Sequence, residues 1–105
     1  MERETAAPSC RLDMAGLDDQ LERYRQISVH VEAVEREPGR LVVRFAPDLP
    51  RDRLEVALEV ERGCCPFLGI DYDPTGRRLV VAVEQAAQDS VLDALANALS
   101  PQVAR

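Results

Sequence analysis

A pattern that occurs twice governs what this chain can fold into. Ile27, Val29, Val31 and Ala33 share one side of a stretch running to Arg36, and Ser28, His30, Glu32 and Val34 share the other, the period of two that a strand requires. Glu37-Pro38-Gly39-Arg40 follows. Proline at the first central position and glycine at the second satisfy a type II turn, whose second central residue needs a positive φ. The return strand, Leu41 to Ala46, aims Leu41, Val43 and Phe45 at the core and Arg44 outward. The same hairpin pattern then recurs: Leu68, Ile70 and Tyr72 alternate into Asp73-Pro74-Thr75-Gly76, and Leu79, Val81 and Val83 alternate on the way out.

Helical periods surround the two hairpins. Leu17, Leu21, Tyr24 and Ser28 fall at i, i+4, i+7 and i+11 and predict a helix over about 15–26. Pro50 suits the first turn of a second helix, where its missing N–H leaves no bond unmade. Leu54, Ala57 and Leu58 form that helix's core stripe, Val56 and Val60 an adjoining face, and Glu55, Glu59, Glu61 and Arg62 the solvated side. Gly63 and Pro66 mark its end, because proline disfavours the α conformation in the residue before it. Val91, Leu92, Leu95, Ala98 and Leu99 make one stripe of a last helix, roughly 87–99. The order α-ββ-α-ββ-α predicts an α+β two-layer sandwich, an antiparallel sheet built from two β-hairpins with helices on one face. The strand order does not follow from the pattern. At 105 residues the chain reads as an arm at 1–12, a single domain at 13–100 and a tail at 101–105.

Charge and inventory narrow the chemistry. Nineteen acidic residues against thirteen basic ones give a net charge of -6, a field that repels phosphate backbones and anionic lipid surfaces, so neither nucleic acid nor membrane is an expected partner. Every basic residue is Arg, which removes lysine Schiff-base and P-loop chemistry. No apolar run approaches the roughly 20 residues of a membrane span, and Met1-Glu2-Arg3-Glu4 lacks the apolar core of a signal peptide. A cytoplasmic protein is the expectation. The reactive side chains concentrate at one place, the neighbours Cys64 and Cys65, with a third cysteine, Cys10, in the arm and a single histidine, His30.

Two adjacent thiols are soft donors, and thiolates select Cu(I), zinc and other thiophilic ions over magnesium or calcium. Several readings are open. A four-ligand zinc site would use Cys10, His30, Cys64 and Cys65. Three thiolates without the histidine would suit a trigonal soft ion such as Hg(II) or As(III), provided that the arm brings Cys10 to the pair. Thiol-disulfide exchange lacks the Cys-x-x-Cys spacing that normally supports it. A cysteine nucleophile would want a helix N-terminus or a nearby base, whereas the pair sits at a helix C-terminus. Cysteines also pack as small hydrophobes, in which case the protein is an interaction or homodimerisation module. Val34, Val42, Val80 and Ala82, expected on the sheet side away from the core, would then supply the contact.

The stretch Glu61-Arg62-Gly63-Cys64-Cys65-Pro66-Phe67-Leu68 resembles the Glu-x-x-Cys-Cys-x-Phe-Leu signature of small uncharacterised bacterial proteins often encoded near mercury or arsenic resistance genes. Ser9-Cys10-Arg11-Leu12 before the first helix and the Arg40 to Ala46 strand are similar to that group as well. The resemblance implies handling of a soft metal or metalloid ion, with Cys10, Cys64 and Cys65 as candidate ligands, and no established activity.

Overall fold

A computed structural model describes residues 14–100. Cys10, the arm at 1–12 and the tail at 101–105 lie outside the described residues. The elements run α1 (Met14–Ser28), β1 (Val31–Glu37), β2 (Arg40–Phe45), α2 (Arg51–Cys64), β3 (Gly69–Asp73), β4 (Arg78–Ala82), a single 3₁₀ turn (Ala86–Gln88) and α3 (Asp89–Leu99). The fold is α+β, with the predicted α-ββ-α-ββ-α order.

The four strands form one antiparallel sheet in the order β1-β2-β4-β3, so the return strands of the two hairpins pair at its centre. The ladder is symmetric about the Val42–Val80 pair: Arg40 faces Ala82 on one side and Arg44 faces Arg78 on the other. Beyond them Glu35 pairs with Val42 and Asp71 with Val80. Each α-ββ unit therefore supplies one half of a pseudo-twofold sheet. Gly39 at the first turn has φ +75, as the Pro-Gly sequence requires. The second turn differs. Asp73 accepts the Thr75 N–H at 3.0 Å, and Arg77, not Gly76, takes the positive φ, 53°.

Leu41, Val43, Phe45, Leu79 and Val81 line the inner face and join Leu54, Ala57, Leu58, Leu92, Leu95 and Leu99 from the helices in one core. On β2 and β4 this division between inner and outer side chains is the one read from the alternation. Phe45 and Tyr72 meet edge to face, centroids 6.1 Å apart, a favoured aromatic geometry. Arg36 ties α3 to the first hairpin, with ion pairs of 2.8 Å to Asp89 and 3.0 Å to Asp93.

Three expectations are corrected. α1 extends to Ser28, and Ile27, buried completely, belongs to its inner face rather than to a strand that begins at Val31. That inner face is also rotated from the Leu17–Leu21 stripe. Leu17 and Leu21 are 40% and 49% exposed, whereas Gln20, Tyr24, Ile27 and Ser28 are buried, because α1 docks on α2 through polar contacts that leucine cannot make. Finally, an irregularity between Val31 and Ala33 places two residues of β1 against one of β2 and reverses the side-chain alternation beyond it. Val34 consequently pairs with inward-facing Val43 and packs against the core. It is not part of an outer apolar patch, and Val42 on that outer side sits in a hollow lined by Ala33, Glu35, Arg44 and Arg78.

Candidate metal centre

Cys64 is the last residue of α2 and Cys65 its C-cap. Cys65 donates its backbone N–H to the Glu61 carbonyl at 2.8 Å, which closes the final helical turn. Pro66 then keeps Cys65 out of the α region (φ -129, ψ 71), and the Leu68 N–H returns to the Cys65 carbonyl at 3.1 Å. A helix end and a tight turn thus fix both cysteine backbones. Their sulfurs converge at 3.7 Å, in contact but far beyond the roughly 2.05 Å of a disulfide bond. Both residues are buried.

The third member of the cluster is Glu61. Its carboxylate and the two sulfurs place their donor atoms within 4.8 Å of one another, and Cys64 Sγ lies 4.0 Å from Glu61 Oε2. The sequence reading put Glu61 on the solvated side of α2, but it is only 4% exposed. The helix period explains the difference: Leu54, Ala57, Leu58, Glu61 and Cys64 follow one another at steps of three, one, three and three, so Glu61 continues the buried stripe. Its position continues the stripe, but residue type points to solvent, because glutamate rarely occupies a core position unless it has partners.

Those partners come from α1. Tyr24 donates its hydroxyl to Glu61 Oε1 in a short hydrogen bond, and Gln20 Nε2 donates to the same oxygen at 3.0 Å. The Gln20 amide also reaches the Ala57 carbonyl at 2.9 Å. Its own oxygen accepts from Arg23 at 2.9 Å, which fixes the amide with its NH₂ group toward α2. A buried carboxyl group must have such partners, because an unpaired polar group in the interior is costly to hold. Gln20 was absent from the sequence reading. Gln20 and Tyr24 stand at i and i+4, a spacing that shares one helix face, but polar residues at that spacing carry no sign of their partner in the sequence.

His30 does not join the cluster. It lies in the turn between α1 and β1, with Nδ1 3.0 Å from Asp48 Oδ1. Among the described residues, Glu61, Cys64 and Cys65 are the one group of three or more His, Cys, Asp and Glu side chains whose donor atoms converge closely enough for a metal ion.

The negative end of the α2 dipole faces the pair. That field favours a bound cation over a bare thiolate nucleophile, and a soft ion can displace the thiol protons as it binds.

No protein-family model, curated protein or solved structure matches this chain. No helix among the described residues is long and apolar enough to cross a membrane.

Proposed function

We propose that this protein binds a thiophilic metal or metalloid ion through Cys64 and Cys65, in resistance to that ion or its trafficking. The observation that carries the reading is the convergence of two sulfurs at 3.7 Å beside the carboxylate of Glu61. Glu61 is buried and held by hydrogen bonds from α1, so a third donor group stands fixed beside the two sulfurs. The resemblance of Glu61 to Leu68 to the Glu-x-x-Cys-Cys-x-Phe-Leu signature supports the same chemistry. Cys10 is the candidate third thiolate.

The protein acts in this reading as a carrier or scavenger and not as an enzyme. A metal cation forms two sulfur–metal bonds and sends two thiol protons to water or buffer, whereas arsenite exchanges two As–OH bonds for two As–S bonds and releases two waters. Titration of the reduced protein with Hg(II), arsenite or Zn(II) tests it. A sulfur-to-metal charge-transfer band that saturates at one ion per chain, and that Cys64→Ser or Cys65→Ser removes, is the expected result; an identical titration in those variants overturns the reading.

A further inference from the structure

We infer that Glu61 is itself a ligand, through Oε2, and that the resulting thiolate-and-carboxylate donor set selects a divalent ion of the zinc class, held at a bent angle, over ions that prefer linear or all-sulfur coordination. This rests on the reading of Cys64 and Cys65 as a binding pair and adds the identity of the ion.

The sulfur separation is the first support. With zinc–sulfur bonds of about 2.3 Å, a 3.7 Å separation corresponds to an S–metal–S angle of about 107°, close to tetrahedral. A linear two-thiolate ion with bonds of that length needs its sulfurs about 4.6 Å apart, so one or both cysteine side chains must move to accept it. The bent ion requires no such change.

The carboxylate is the second. Tyr24 and Gln20 both grip Oε1, while Oε2 is the carboxylate oxygen nearest Cys64 Sγ, at 4.0 Å, with the Glu61 backbone carbonyl at 3.8 Å. Metal-binding carboxylates are characteristically held this way, one part of the group hydrogen-bonded to orient the other toward the ion. For zinc with sulfur and oxygen ligands at about 2.3 and 2.0–2.2 Å, the tetrahedral S···O edge is about 3.6 Å. Bringing Cys64 Sγ and Oε2 to that edge takes a few tenths of an ångström, and the remaining Cys65 edge, within 4.8 Å, closes by up to about 1.2 Å, with a fourth position left for a further ligand. Carboxylate oxygen is an ordinary zinc ligand but a poor match for the most thiophilic ions.

Tyr24 and Gln20 are positioning residues in this arrangement, since they act on the ion through Glu61. Co(II), a spectroscopic substitute for zinc, reports the geometry directly. The reduced full chain, titrated with Co(II) and then with Zn(II), should develop thiolate-to-cobalt charge transfer together with the intense visible bands of a four-coordinate ion, and Zn(II) should displace both. Glu61→Gln should keep the charge transfer, shift the visible bands and weaken binding by more than about 100-fold. Tyr24→Phe should shift the same bands less and weaken binding by about 10-fold, in the range seen when an outer partner of a ligand is lost.

X-ray absorption of the zinc-loaded wild type gives a readout that does not depend on any variant folding. The inference predicts sulfur at about 2.3 Å and oxygen at about 2.0–2.2 Å; a shell of sulfur alone overturns it, as does a Glu61→Gln variant with unchanged affinity and visible bands. Charge transfer with Hg(II) or arsenite but not with Co(II) overturns the inference while leaving the thiol reading intact. Absence of charge transfer with every one of these ions removes both.

Discussion

Tyr24 on α1 and Glu61 on α2, 37 positions apart in the chain, meet in a buried hydrogen bond from the phenol to the carboxylate. The contact joins two helices and orients the acidic side chain beside Cys64 and Cys65, so one bond serves both packing and the site. Tyr24→Phe deletes the donor while preserving the ring. Leaving a buried acceptor without its donor costs about 1–3 kcal/mol, and a loss of that size in urea or guanidinium unfolding, with an unchanged slope, is the expected outcome. A loss below about 0.5 kcal/mol would mean that water or another donor replaces the phenol.

Gly39 makes a separate prediction about the first hairpin. Its φ is +75, and a Cβ added there would stand 3.3 Å from the Val83 carbonyl oxygen. Left-handed backbone costs an ordinary L-residue about 1–2 kcal/mol. Gly39→Ala should therefore lower stability by at least about 1 kcal/mol, read from the midpoint of chemical unfolding, whereas Gly63→Ala, with nothing within 4 Å of its added Cβ, should be neutral to slightly stabilising.

Much of this architecture is written in local patterns. The turns at Pro38-Gly39 and Pro74, the alternation of Leu41, Val43 and Phe45, and the stripe of Leu92, Leu95 and Leu99 each depend on near neighbours in the chain, so a period of two or 3.6 suffices to place them. The cysteine pair was legible for the same reason. Glu61 and Gln20 were not, because each is buried by a partner on another helix, and residue type alone argued for solvent. The reversal of Val34 has a similar origin: an extra residue in β1 shifts the pairing by one position, and nothing in the alternation marks where it falls. The β1-β2-β4-β3 order depends on how two hairpins meet, a property of neither hairpin alone.

The acid limb of stability should carry a contribution from Asp89. The Arg36 guanidinium, and after it the Gly39 backbone N–H, hold the Asp89 carboxyl below its usual value of 3.8. A group whose pKa is lower folded than unfolded stabilises the protein above its unfolded value, and that contribution disappears as pH falls through the folded one. Asp89→Asn should accordingly be less stable than wild type at neutral pH, with the difference shrinking below about pH 4 and vanishing at stronger acid. Thermal or denaturant unfolding across that range provides the check; a gap that stayed constant with pH would show that the Arg36–Asp89 pair contributes no charge-dependent stability.

Phe45 tests the shared core. It is fully buried at the end of β2 against Tyr72, and Phe45→Ala should cost about 3–5 kcal/mol, enough to leave a domain of this size marginal or unfolded at room temperature. Phe45→Leu, which keeps most of the volume, should lose less and retain the fold's circular dichroism. Equal losses in the two variants would contradict tight packing at this position.

The most direct test of the account is native mass spectrometry of the reduced full chain, wild type beside a Cys64→Ser/Cys65→Ser double variant, after equilibration with one equivalent of Zn(II) or, in parallel, Hg(II). Wild type should gain the mass of a single ion less two protons, and the double variant should gain none under the same conditions. Equal metal loading of both proteins, or no retained ion in the wild type with either metal, would contradict it.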